Sequence, residues 1–148
     1  METQKQFKRR FSFEFFPPKT DQGKEKLQVV RDQLAGVNPD FFSVAFGAVR
    51  NTRERTIETV VNLHKQGIST APHLSCVGGT RAEIAELLDV YKENGINRIV
   101  ALRGDMPSGM GASGEMRYAN ELVAFIREHS GDHFNYRSNC FSSVYCCS

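Results

Sequence analysis

Residues 69–103 read STAPHLSCVGGTRAEIAELLDVYKENGINRIVALR. The order of patterns within this stretch decides the fold class. Ser69–Cys76 is a short, largely apolar run closed by Gly78-Gly79. Thr80 then stands where a helix N-cap belongs, and Ile84, Leu87, Leu88 and Tyr91 recur at helical spacing. Gly95 fits the position just past a helix end. A second apolar run follows at Arg98–Arg103 and is closed by Gly104-Asp105. The stretch is therefore strand, helix, strand, the signature of a parallel crossover.

The same unit recurs on both sides. Apolar runs begin at positions 11, 41, 69 and 98: Phe11–Phe16 before Pro17-Pro18, Phe41–Phe46 before Gly47, and the two above. Helical patterns fill Lys24–Ala35, Arg53–Lys65 (with Thr52 as an expected N-cap), Arg81–Asn94 and Glu115–His129. Four strand-helix units predict a parallel α/β fold. An open doubly wound sheet and a (β/α)8 TIM barrel compete. Four units occupy about 130 residues, so eight would need about 260, close to the ~250 of a barrel. The expected fold is thus α/β, the first four βα units of a (β/α)8 TIM barrel, truncated. Residues 1–10 read as a basic leader, 11–134 as the partial barrel, and 135–148 as an irregular tail without strand alternation or helical period.

Composition narrows the function. The chain has 148 residues, 40% hydrophobic and 24% charged, with a formal net charge of +2. That charge is too small to argue for nucleic acid or an acidic membrane. No apolar run approaches the ~18 residues of a membrane span, and the charged N-terminus leads into no secretory signal. Cys76 stands alone, while Cys140, Cys146 and Cys147 crowd the end without zinc-ligand spacing. The expected setting is reduced and cytoplasmic, with no nucleic acid, membrane or metal partner.

Parallel α/β folds bind ligands at the C-terminal ends of their strands. Those ends carry Glu14, Ala45-Phe46-Gly47-Ala48, His73 and Arg103-Gly104-Asp105. Glu14 lies between Phe13 and Phe15-Phe16. A carboxylate dehydrated by phenyl rings would hold a proton near neutral pH, as a general acid must; the alternative is a solvated strand-end carboxylate. His73 is either a hydrogen-bonded core residue or a donor to a ligand phosphate or ring. Arg103 offers planar donors for an anion, and Gly104 admits close backbone approach. Asp105 can tune a heteroaromatic ring or cap a helix. Gly109–Gly114 matches G-x-G-x-x-G literally. It is not a dinucleotide fingerprint, because it starts six residues beyond Arg103 and no second strand brings an acid about 20 residues on.

Phe13-Glu-Phe-Phe-Pro-Pro-Lys-Thr20, Ala71-Pro-His-Leu-Ser-Cys76 and Ile99-Val-Ala-Leu-Arg-Gly-Asp105 closely resemble the methylenetetrahydrofolate reductase family in its bacterial form. The resemblance implies a (β/α)8 barrel that binds FAD. It implies reduction of 5,10-methylenetetrahydrofolate to 5-methyltetrahydrofolate, with NADH or NADPH reloading the flavin in a ping-pong cycle. By resemblance, Glu14 is the general acid that helps open the methylene bridge, and Asp105 tunes the flavin and contacts the folate. Flavin contacts are implied at Phe46, Ala48, His73, Arg103, Gly104, Asp105, Tyr118 and Ala119. Ala45 stands where the family has a threonine, and Val49-Arg50 where it has glycines.

The resemblance covers about the first half of the catalytic domain. The family's fifth strand is expected near position 134, and nothing there reads as one. Tyr136–Ser142 can be encoded so that dropping one base reads Ile-Glu-Val-Thr-Ala-Phe-Pro, similar to that strand. The tail is therefore expected to be frameshifted and the reductase activity impaired. Half a barrel would leave two sheet edges open and inward side chains unpacked, so a homo-oligomer is expected. The alternative function is a non-catalytic α/β fragment that only associates with itself or with a full-length subunit. An independent doubly wound domain without flavin is the third reading.

Overall fold

The computed structural model describes residues 11–46, 50–76, 79–104, 115–134 and 144–147. Four strands, β1 (Ser12–Phe15), β2 (Phe41–Val44), β3 (Thr70–Ser75) and β4 (Ile99–Leu102), alternate with four helices, α1 (Asp21–Ala35), α2 (Arg50–Lys65), α3 (Arg81–Glu93) and α4 (Ala119–Ser130). The strands are parallel and lie in sequence order, β1 beside β2 beside β3 beside β4.

Register divides the sheet into two faces. Val44, Leu74, Ile99 and Ala101 share one of them and join a single core with side chains from α2, α3 and α4. Leu27 of α1 packs against the same core. The other face carries Phe41, Ala71 and Val100, which form a separate small cluster. A doubly wound sheet reverses its strand order and places helices on both faces. Sequential order with the helices packed on one face is consistent with the winding of successive barrel units and unlike that of a doubly wound sheet.

Local signals explain the helix ends. Thr80 caps α3: its Oγ1 accepts from the Glu83 amide, and the Glu83 carboxylate accepts from the Thr80 amide at 2.9 Å. This is the reciprocal capping box. Gly95 follows at φ +75°, where an L side chain would be strained. Thr20 caps α1 by accepting from Gly23. Thr52 is not a cap, because α2 already begins at Arg50; the Thr52 carbonyl instead accepts the Thr56 hydroxyl at 2.9 Å. The fourth helix starts at Ala119 rather than Glu115. Its first turn is set by the Glu121 carboxylate, which accepts from the Arg117 and Tyr118 amides.

Two expectations are corrected. The tail is not wholly irregular: β5 (Val144–Cys147) pairs antiparallel with β4, Leu102 opposite Val144. A fifth barrel strand would run parallel. An open strand edge accepts whatever β-favouring segment reaches it, and Val-Tyr-Cys-Cys is such a segment. The face away from the helices is not left unpacked either: Phe41, Ser43, Ala71, His73 and Val100 are all buried. Exposure concentrates at β1 and α1. Helix α1 has no buried residue, and Phe16, Val29 and Val37 are exposed.

The two classes of apolar site differ in stability. Leu88 is fully buried and Val29 is 58% exposed. Leu88→Ala is expected to lower the unfolding free energy by about 2–5 kcal/mol, and Val29→Ala by less than about 0.5 kcal/mol. Urea denaturation monitored by circular dichroism checks both.

Candidate functional site

The register brings the strand ends to one side. Glu14 pairs with Ser43, Ser43 with Ala71, and His73 with Val100. Partnered residues of parallel strands share a face, so Glu14, Ser43 and His73 stand on the face opposite the helices. Glu14 Oε1 lies 3.8 Å from His73 Nδ1. Among the described residues it is the one ion-pair approach between two of the acid-base residues singled out from the sequence.

The environment of Glu14 differs from expectation. Alternation along β1 sends Phe13 and Phe15 to the other face, where both stack on Phe42 with centroids 6.0 and 5.2 Å away. The two adjacent rings are thus turned away from the carboxylate, and the Glu14 side chain is 49% exposed. His73 is the buried partner, 8% exposed. Burial pushes its imidazole below the usual histidine range, and the Glu14 carboxylate pulls the other way. Its neutral form is therefore favoured.

The fourth strand end is anchored by neighbours. The Arg103 carbonyl accepts from Ser75 Oγ at 3.0 Å and from Cys76 Sγ at 3.2 Å. Gly104 follows at φ +81°, a turn that suits glycine. The exposed Arg103 guanidinium lies over the Tyr118 ring, 5.7 Å from its centroid. Ala119, next to Tyr118, is buried at the start of α4. At the second strand end Arg53 lies over the Phe46 ring at 5.6 Å, and Thr56 Oγ1 donates to the Ala45 carbonyl at 3.0 Å. Ala48, Asp105 and the Gly109–Gly114 run lie outside the described residues.

Two pairs are thus assembled, Glu14 with His73 and Arg103 with Tyr118. Ser43, Ser75, Cys76 and Arg53 were missed from sequence. Ser43 is a small polar residue inside an otherwise apolar strand, which is a usable signal. The pairing of Ser75 and Cys76 with a carbonyl 27 or 28 positions away has no local signature. Burial also holds the Cys76 thiol protonated, pushing it up. Among the described residues, no helix is long and apolar enough to cross a membrane.

Fold and site together define a parallel α/β chain that presents an acid, a neutral imidazole and a guanidinium at its strand ends, the place where such folds do chemistry. Comparison with known proteins is specific. The chain belongs to the methylenetetrahydrofolate reductase family, whose pattern matches residues 1–148. It is similar to the 5,10-methylenetetrahydrofolate reductases of Salmonella typhimurium and Escherichia coli, 42% identical to each over 118 residues, covering 79% of this chain. It is 36% identical over 129 residues to methylenetetrahydrofolate reductase (NADH) 1 of Arabidopsis thaliana. The chain spans 39% of the length of the two bacterial relatives and 22% of the plant one.

The buried imidazole has a pH consequence. The folded-state pKa of His73 lies below its ordinary value of 6.5. The unfolded chain therefore binds the extra proton first, and stability falls as pH drops below about 6.5. His73→Asn is expected to make the unfolding midpoint less dependent on pH between about 6.5 and 5. Parallel urea titrations of both chains at each pH measure the difference.

Proposed function

We propose that this chain is the part of a flavin-dependent methylenetetrahydrofolate reductase that carries the proton donor and one side of the flavin site. The single supporting observation is the Glu14–His73 approach on the face opposite the helices, in a chain of this family. The donor set suits the cofactor. Arg103 offers an exposed guanidinium to an anion, Gly104 turns the backbone at φ +81° without a side chain, and His73 lies on the neighbouring strand β3. FAD would be held by these residues with Phe46, Ala48, Asp105, Tyr118 and Ala119. A bound flavin supplies reversible hydride transfer from NADH or NADPH, which no side chain performs.

The chain's own work is acid-base and positional. Glu14 carries the proton that passes to the bridge nitrogen as its bond to the methylene carbon breaks. Half-exposure lets the carboxyl recover a proton from water between turnovers. Asp105 is assigned to the folate and to the electrostatics of the flavin ring. Because the chain spans 39% of its bacterial relatives, its 148 residues alone are expected to show no flavin-dependent NADH oxidation. Measurable turnover by the purified chain would overturn that. In a chain extended by the remaining units of a bacterial relative, Glu14→Gln should slow folate reduction by roughly 10²-fold or more. Flavin reduction by NADH should be spared, since only the folate half-reaction needs the proton. Stopped-flow measurement of the two half-reactions separates them.

The exposed edge favours a second reading, association. Among the described strands β1 is the unpaired edge, Phe16 beside it is 78% exposed, and Val29 and Val37 of the α1 region are exposed with it. Such an edge pairs with another chain unless blocked. A second copy of this chain is the expected occupant. The double variant Phe16→Lys, Val29→Lys should shift sedimentation from dimer or larger species to monomer. A monomeric parent chain would dispose of this reading.

A further inference from the structure

We infer that His73 is a positioning residue for Glu14, and that the small side chain of Ser43 is what lets the two meet. The inference rests on Glu14 being the proton donor, and it concerns what holds that carboxyl in place.

Glu14 and His73 are on β1 and β3, which are not neighbours; β2 runs between them. Adjacent strands lie ~4.8 Å apart, so the two backbones are about 10 Å from each other. The side chains nevertheless close to 3.8 Å. The approach is diagonal, because His73 lies two residues beyond Glu14's row on β3, and it passes beside Ser43 and Ala71, which fill that row. Both of these residues are small and buried, at 5% and 1% exposure. A branched side chain at position 43 would fill the space the two groups use. The Ser43 hydroxyl is turned to β1, donating to the Phe13 carbonyl at 3.5 Å, so it is tied to the strand that bears Glu14.

The two partners are unequal, and that inequality suits positioning. His73 is nearly sealed, at 8% exposure. Glu14 is half in solvent, free to meet a substrate with its second oxygen. Among the described residues, Glu14 is the charged group that acts on His73. A neutral imidazole can present Nδ1–H to the carboxylate or accept from the carboxylic acid. The 3.8 Å separation is longer than a hydrogen bond, so a small closure lets the ring, in the matching tautomer, orient the carboxyl before and after it gives up its proton.

The test needs neither flavin nor folate. The histidine rings of the 148-residue chain are titrated by NMR. Glu14→Gln should move the His73 midpoint down, because the carboxylate that favours the imidazolium is gone. Ser43→Val should move it down as well, with Glu14 still present, and Ser43→Ala should leave it where it is. Asp89→Asn serves as the assignment control: Asp89 lies 2.8 Å from His129, so it should move that ring and not His73. Circular dichroism establishes that each variant is folded. If the His73 midpoint ignores both Glu14→Gln and Ser43→Val in folded protein, the positioning role is wrong. If it responds as stated while Glu14→Gln leaves folate reduction in the extended chain intact, the contact is real and the assignment of Glu14 as proton donor fails instead.

Discussion

Everything at this site depends on the two-residue alternation of side chains along parallel strands held in register. Within β1, Phe13 and Phe15 go to one face and Glu14 to the other. Within β3, Leu74 enters the core shared with the helices while Ala71 and His73 face away from it. A slip of one residue in either pairing would exchange the faces. It would bury the Glu14 carboxylate under the helices and present rings to the mouth. The apolar side chains thus do more than stabilise the chain. Burial of Val44, Leu74, Ile99 and Ala101 is the force that fixes the register, and the register is what brings an acid and an imidazole together from strands that do not touch.

Much of this was legible in the sequence because it is periodic. The spacing of Ile84, Leu87, Leu88 and Tyr91 named a helix and its buried side, and those four residues are buried in α3. Strand ends were located by glycine and proline, and chemistry-bearing residues at those ends followed. What escaped was whatever depends on the third dimension. Neighbours along the chain suggested a ring-lined pocket for Glu14, but consecutive strand residues point in opposite directions, so the rings that flank it in sequence are the ones it cannot meet. Its actual neighbour is 59 positions away. The beginning of α4 was misplaced for a related reason. Glu115 opens that helical pattern in the sequence, yet its carboxylate accepts from the Arg81 amide and serves the start of α3.

The two edges of the described sheet differ, and local sequence accounts for the difference. At β4 the edge is covered by β5, running the opposite way to the other strands. Among the described strands, β1 has an unpaired edge flanked by exposed apolar side chains. In a closed barrel every edge is consumed by a neighbour. This chain spans 39% of the length of its bacterial relatives, and its four parallel strands lie in sequence order between helices whose ends are set locally. Units of this kind acquire their faces from local pairing with the strand before and after, which explains why the central strands are well buried while α1 is not.

Magnitudes decide how Arg103 can serve an anion. Its carbonyl is fixed by two donors, Ser75 Oγ and Cys76 Sγ, so the backbone position is held. Its guanidinium rests on the exposed ring of Tyr118, a contact worth about 0.5–1 kcal/mol where water has access. Hydrogen bonds to a charged group contribute about 1.5–3 kcal/mol each. The ring contact is therefore weak enough to be given up at small loss to a stronger hydrogen-bonding partner. Among the described residues no carboxylate pairs with this guanidinium, and one would hold it more tightly. An arginine anchored through its backbone and parked on an aromatic face is thus better suited to exchange than one locked in a salt bridge.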